Sequence, residues 1–496
     1  MHNKNYASRI VLLCLCAALL LPVISSCAGN SETGETSSVL SSEAFEAETA
    51  KEKTALEKLP DADYGGLEFR VSVTDKYSYE IFVDSENGDV CNDAVYRRNK
   101  AVEEKYNVKI TALVSEMAQS DNHNIHSDFI KQSVLSGDDV FDLSASYVYR
   151  AGGLISEKMF LGYGDIPNIE LSNPWWIQKA NEAFNVHGEQ YIAVSDLSIT
   201  AVQLAYGVLF NKTIADNFNI PDLYAVVDDG EWTIERMIGL SKDVYSDLNG
   251  NGEHDVEDLY GYIGSNSTDI DLYPFAFGLS YTATSQNGDI ELSVDHSKMA
   301  TAIEKIYELY WGSEGTRVEG YYWDYYTRFR DGLALFIPCC LVTLYNQLRD
   351  MDADYGIIPP PKFNEEQPEY LTNSLDNYSA LGVPVTAVNL EMIGSVLEAL
   401  SAESMESVVP VFYETALQNK YSRDENSLRM LDVIMDGRTY DFSILYAYEL
   451  NSLPYLVRTL INKKSVNWAS SYQKIEGALT ENLATLNNLY KELSVK

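Results

Sequence analysis

Residues 206–262 read YGVLFNKTIADNFNIPDLYAVVDDGEWTIERMIGLSKDVYSDLNGNGEHDVEDLYGY. Val208-Leu209-Phe210 is an apolar strand end, and Asn211-Lys212 leads from it into a short helix. Asn219-Ile220-Pro221 stops that helix, because proline drives the residue before it out of the helical region. Trp232-Thr233-Ile234-Glu235 opens a longer helix with Thr233 as its N-cap. Arg236 stands where a capping box carries Glu or Gln, so the cap is half formed. Ile234, Ile238 and Val244 share one apolar face. An acidic loop, Asp247 to Asp255, then leads to Leu259-Tyr260-Gly261-Tyr262.

This ordered series resembles the extracellular solute-binding proteins of ABC importers, family 1, the group similar to maltose-binding protein. That family carries an aromatic-Asn-Lys strand end, a small helix, a Pro break, a W-[TD]-x-[ED] helix start, an acidic D-x-[DN]-G-[DN]-G loop and a Tyr-Gly strand. The matches here are Phe210-Asn211-Lys212, Pro221, Trp232 to Glu235, Asp247 to Gly252 and Tyr260-Gly261. No piece is specific alone; the order is, and matching features extend over most of the chain. The resemblance implies a periplasmic-binding-protein-like type II fold of the α/β class. Two α/β lobes, 61–197 with 341–405 and 198–340 with 406–496, would be joined by a three-segment hinge with the ligand cleft between them.

Upstream, Leu67, Phe69, Val71 and Val73 alternate as in a strand, and so do Val108, Ile110, Ala112 and Val114. Between them Asn92 to Tyr106 reads as a helix capped by Asn92 or Asp93, which makes a βαβ unit with parallel strands. A helix over Ile125 to Leu135 leads to a strand over Val140 to Ser146. Ligands of open α/β sheets bind beyond the carboxyl ends of strands, where Ser146, Tyr147, Tyr149 and Arg150 follow. Matching the family strand puts these four on positions that touch sugar in the relatives, which often carry Asp where Tyr149 stands. The other reading is two core tyrosines and a surface arginine. Trp175 and Trp176 cannot both face inward on one strand face, so one belongs to the core and the other lies nearer the cleft. The first crossing is expected near Ser195 to Ile199.

Downstream, the resemblance places Asp269, Asp271 and Tyr273 on the second wall, with Tyr206 beside them. Gly320 to Tyr326 is dense in aromatic residues, and Trp323 is the candidate sugar platform among them. Phe329 to Phe336 resembles a family strand, and the chain is expected to cross back near Cys339 to Leu341. Asp354 to Lys362 matches the family's yG-x-x-P-x-P-K turn, and Asp376 and Tyr378 would sit beside the cleft. Tyr455 to Arg458 also approaches the ligand. Helices are expected over Met392 to Leu400, Leu428 to Met435 and Ser471 to Leu493.

The acidic loop has two readings. Asp247, Asn249, Asn251, Glu253, Asp255 and Asp258 fall at positions 1, 3, 5, 7, 9 and 12, with Gly252 at 6, which is the oxygen spacing of a Ca²⁺ loop. Position 12 is Asp rather than Glu, and the flanks are not a matched pair of helices. The alternative is a solvated turn of Asn and Asp side chains. Beyond structural Ca²⁺, no cofactor is required.

Residues 1–27 read as a secretory signal: a basic start and an apolar run, Ile10 to Val23, shorter than the ~20 residues of a membrane span. Ile24-Ser25-Ser26-Cys27 resembles a bacterial lipobox, which implies cleavage before Cys27 and a diacylglycerol on its thiol. The alternative is an ordinary signal peptide. Residues 28–60, rich in Ser, Thr, Glu and Ala, form an acidic flexible tether, helical over Ala44 to Lys58. The expected place is the outer face of the cell membrane.

A net charge of −38, from 74 acidic and 36 basic residues, opposes nucleic-acid binding, which needs cations for phosphates. Cys339 and Cys340 are adjacent, Cys91 stands alone, and no zinc spacing occurs. Two functions from different classes remain. One is a binding protein that captures a sugar or oligosaccharide and hands it to ABC permease subunits; a sensor on the same fold is its variant. The other is a secreted glycoside hydrolase using paired carboxylates. No GxSxG, HExxH or phosphate loop is present.

Overall fold

The computed structural model describes residues 53–116, 124–348, 351, 353–418 and 425–494. The signal, Cys27 and residues 28–52 of the tether lie outside them. The chain divides after Lys58. In the first part, Ala55–Lys58 is helical and closed by a reciprocal capping box. The Glu57 amide donates to Thr54 Oγ1 at 3.1 Å, and the Thr54 amide to Glu57 Oε2 at 2.8 Å.

The second part, 59–496, is built on two sheets. Its strands are β1 (Leu67–Thr74), β2 (Val108–Ser115), β3 (Leu143–Tyr147), β4 (Tyr206–Asn211), β5 (Tyr260–Ser265), β6 (Thr282–Thr284), β7 (Ile290–Leu292), β8 (Thr316–Glu319), β9 (Ala334–Cys340), β10 (Tyr355–Ile358) and β11 (Ser379–Gly382). The first sheet has the order β11-β3-β1-β2 and the second β10-β4-β9-β5-β8; β6 and β7 form a separate hairpin. β1 and β2 are parallel with Leu67 opposite Val108, and the helix Val90–Tyr106 connects them, as the alternation predicts. Its cap is Asp89, earlier than expected, whose carboxylate accepts from the Cys91 and Asn92 amides at 3.1 and 3.0 Å.

The deciding stretch keeps the order read from it, but it adds a helix, Leu223–Asp228, and leaves Val244 beyond the end of the helix Ile234–Lys242. Asn211 caps the helix Lys212–Asn217, Asp222 caps Leu223–Asp228 and Thr233 caps Ile234–Lys242. The Tyr-Gly step has a packing reason. A Cβ on Gly261 would lie 1.9 Å from the Ser241 carbonyl oxygen, so only glycine lets that helix end press on β5.

Two segments running between the sheets lie side by side. Ala205 of the first bridges to Ser374 of the second, and the Leu375 amide donates to the Leu204 carbonyl at 2.9 Å. The chain therefore does not leave the second sheet at 341. β10 pairs antiparallel with β4, Tyr355 opposite Asn211, and the return falls between β10 and β11. The 405 boundary moves as well, because the helices Leu390–Glu403 and Val409–Gln418 both pack on Val90–Tyr106. The helix Glu425–Asp436 packs on β10, and Trp468–Ser494 ends the described chain.

The tryptophan pair departs from expectation. Trp175 and Trp176 lie in a turn, not a strand, and both are buried. Each indole N–H donates to Glu398 at 3.0 Å, and Asn173 Nδ2 adds a bond of 2.6 Å. One buried carboxylate ties this turn to the helix Leu390–Glu403.

Candidate functional site

β1 and β3 are parallel, so their carboxyl ends share an edge, and antiparallel β11 brings its approach there. The residues beyond that edge form a row of tyrosines. Ring centroids step from Tyr79 to Tyr77 by 6.3 Å, to Tyr147 by 5.5 Å, to Tyr149 by 5.8 Å and to Tyr448 by 6.0 Å. These spacings suit edge-to-face and offset contacts. The Arg150 guanidinium lies 5.0 Å from the Tyr149 ring and 4.4 Å from the Tyr448 ring. Tyr77 and Tyr147 are buried and Tyr149 is half-buried, whereas Tyr79 and Tyr448 at the ends are 39% and 50% exposed. Burial pushes the Tyr149 phenol up to about 12 and raises that of Tyr147, so both remain protonated donors at neutral pH. Glycine admits the distant end of the row: a Cβ on Gly152 would lie 2.3 Å from the Leu445 carbonyl oxygen. Without that space the segment carrying Tyr448 could not close on the helix Val148–Ser156.

The second sheet presents the carboxyl ends of β5, β8 and β9 with the amino end of β4. There Asp271, at the end of the turn Thr268–Asp271, pairs with Arg458 at 3.2 Å. The Tyr455 phenol donates to Asp376, the residue that leads toward β11, and the Arg458 guanidinium stacks on the Tyr455 ring at 4.7 Å. One helical turn thus reaches both carboxylates. Burial pushes the Asp271 carboxyl up to about 8; Asp376 and Asp269 reinforce this and Arg458 opposes it. Burial also raises Asp376, against the Tyr455 hydrogen bond and Arg458. Among the described residues Asp271 Oδ1 is buried with no hydrogen-bond partner. The two edges meet at Asp376, whose carbonyl accepts from the Tyr149 amide at 3.4 Å. Flat ring faces beside carboxyl groups and a guanidinium suit a ring-shaped ligand rich in hydroxyls.

Of the residues expected from sequence, the structure brings Tyr147, Tyr149 and Arg150 into the row and Tyr206, Asp271 and Asp376 into the polar cluster. Tyr206 is buried and donates to the Thr268 carbonyl at 3.1 Å. Four expectations are corrected. Ser146 is buried within its strand, its Oγ 2.7 Å from Ser144 Oγ. Asp269 is core: it accepts from the Ser265 amide at 2.9 Å and from Tyr310 at 2.9 Å. Tyr273 is fully buried with its hydroxyl 2.7 Å from that of Tyr262. Tyr378 is buried against the Tyr440 ring. The cause is shared: beside each cleft position the chain supplies another polar or aromatic residue that faces the core. Trp323, 44% exposed, packs edge-on to Tyr326 near the end of β8, apart from the row.

In the acidic loop the oxygens serve the loop itself. Asp247 accepts from the Gly250 and Gly252 amides, Asn249 from the Asn251 amide, Asn251 from the Glu253 amide, and Asp255 from the Glu257 amide. Asp258 accepts from Tyr245 and from the Leu248 and Asp255 amides. The side-chain amides of Asn249 and Asn251 are turned as donors to Asp255. Among the described residues no group of three or more His, Cys, Asp or Glu is arranged to hold a metal ion. This geometry is that of an Asx turn.

Tyr77, Tyr79 and Tyr448 were missed from sequence. Tyr77 and Tyr79 were within reach of the rule that found Tyr147, since they directly follow β1. Tyr448 carries no such signal, because a distant segment delivers it.

No family model and no curated protein matches the sequence. Solved structures do match. The GacH receptor of Streptomyces glaucescens, described unliganded and with acarbose and an acarbose homolog, is 12% identical; the match covers 86% of this chain and 98% of that one, with a TM-score of 0.51. The maltose/maltodextrin-binding domain MalE of Bdellovibrio bacteriovorus, bound to maltotriose, is 14% identical over 85% and 100%, with a TM-score of 0.53. The ABC substrate-binding protein Lmo0181 of Listeria monocytogenes, in complex with cycloalternan, is 12% identical over 87% and 100%, with a TM-score of 0.50. The chain therefore has the two-lobed, periplasmic-binding-protein-like fold of these proteins. Among the described residues no helix is long and apolar enough to cross a membrane.

Proposed function

We propose that this chain is the extracytoplasmic, lipid-anchored binding component of an ABC importer and that it captures an oligosaccharide between its lobes. The observation that carries the reading is the tyrosine row, whose Tyr149 meets Asp376 next to Asp271 and Arg458. Ring faces take the apolar faces of sugars, and the carboxyl groups and guanidinium take their hydroxyls. The three solved structures, whose ligands are carbohydrates, support the same reading. A ligand touching both edges favours the closed arrangement only through contacts it makes there and not in the open one. Delivery to permease subunits and anchoring through Cys27 complete the proposal. A thermal-shift screen against a glycan panel tests the cargo: a ligand that binds the native state raises the melting temperature. Cys27→Ala tests the anchor: it should release the chain from membranes, and continued retention would exclude the lipid.

One observation favours the glycosidase reading. Asp271 keeps its proton at neutral pH beside a second carboxyl, the condition for a general acid. Reducing-sugar release from the same panel separates the two; a binding protein releases none.

A further inference from the structure

Beyond the row, a cavity of about 230 Å³ opens beside Tyr149, Arg150 and Tyr448. Tyr149 is the wall it shares with the site, since the same residue contacts Asp376 through its amide. We propose that this cavity is an end subsite that takes one neutral sugar residue, so that the ligand passes over the half-buried Tyr149 and terminates here beside Tyr448. The proposal rests on the carbohydrate reading and adds to it a length and a charge class.

Three observations carry it. First, Arg150 Nε is buried and, among the described residues, has no hydrogen-bond partner. Its guanidinium is fixed by two rings, so it is a donor held ready for an acceptor such as a sugar hydroxyl or ring oxygen. An ammonium group could not accept from it. Second, the other charges around the cavity exclude an anion. Lys131 is paired with Glu157 at 2.5 Å, while Asp128 and Glu449 add two more carboxyl groups. Third, the cavity is kept open by a glycine. A Cβ on Gly153 would meet only Glu449 Oε1, at 3.2 Å.

The test is a titration of the intact protein with a series of neutral linear oligosaccharides of increasing length, and with the same series ended by a uronic acid. Affinity should step up about fivefold to tenfold at the length that reaches the cavity, the worth of one ring contact. Uronate-ended chains of that length should lose the step. Gly153→Leu fills the cavity from a helical position and should erase the step while leaving the shorter ligands within about twofold. Glu449→Gln keeps the shape and should restore part of the uronate binding. Unliganded melting curves check that both variants fold; should Gly153→Leu fail to fold, Glu449→Gln decides through charge. A length step that survives Gly153→Leu, or equal binding of neutral and uronate ends, overturns the subsite and leaves the carbohydrate reading standing. Failure of every oligosaccharide to bind overturns that reading and the subsite with it.

Discussion

Arg458 holds its guanidinium 3.2 Å from the carboxyl of Asp271. The pair joins the helix Leu456–Asn462 to the turn after β5 and leaves one Asp271 oxygen unbonded. A carboxyl group in this setting is poised for a ligand hydroxyl, and its surroundings make specific predictions.

At pH 9, where the Asp271 carboxyl is ionised, Arg458→Met should destabilise the unliganded fold by about 1–3 kcal/mol, since it strips a mostly buried carboxylate of its counter-charge. Asp271→Asn in the same chain should recover most of that loss, because a neutral amide needs no counter-ion. Urea melts of the two single variants and the double variant measure it. Additive losses would mean that the pair is not coupled.

Stability should fall as pH rises from about 4 to 8. The unfolded carboxyl of Asp271 gives up its proton near ~3.9, whereas the native one keeps it to about 8, so the native state binds more protons in that window. Glu80 acts in the same sense up to about 7, because burial raises it against the hydrogen bonds from Ser379 and Thr200. Asp271→Asn should flatten the upper end of the fall, between about 7 and 8, the range in which the native Asp271 carboxyl gives up its proton. A profile for Asp271→Asn parallel to the parent's would contradict the assignment.

Glu398→Ala should cost about 3 kcal/mol or more, because it leaves two indole N–H donors and the Asn173 amide without their acceptor. Ligand affinity should not change, since this carboxylate lies in the core. A loss of affinity with an unchanged melt would instead return the tryptophan pair to the cleft.

Much of the fold was legible because its signals are local. Asn211, Thr233 and Gly261 each act on neighbours in sequence or on one adjoining helix, and the strand and helix after them followed. The lobe boundaries were not legible. That β10 pairs with β4 depends on partners about 150 residues apart, which no short-range pattern encodes. The site was half legible for the same reason. The carboxyl-end rule pointed to Tyr147, Tyr149 and Arg150, which the structure lines up in one row, yet could not say that Asp271 joins Arg458 and Asp376 while Asp269 and Tyr273 turn to the core. Tyr448 reaches Arg150 only because Gly152 admits a distant segment.

Calcium should leave the melting temperature unchanged, with EDTA equally without effect, because the acidic loop's oxygens already bond to its own amides. A rise with added Ca²⁺ would show that the loop rearranges around the ion.

The tyrosine row separates fold from function along its length. Tyr147→Ala, at a buried ring, should cost about 3–5 kcal/mol of stability. Tyr448→Ala, at an exposed ring, should leave the unliganded melt nearly intact and weaken oligosaccharide binding by about 0.5–1.5 kcal/mol. Denaturation and titration of both variants check this contrast.

The central claim is capture of a carbohydrate without chemistry. Calorimetric titration of the mature protein with the best glycan from the thermal-shift screen, with reducing-sugar release assayed on the same samples, tests it most directly. The account predicts saturable binding of one ligand per chain, weakened by Asp376→Ala, with no sugar released. Release of sugar, or the absence of binding to any glycan, would contradict it.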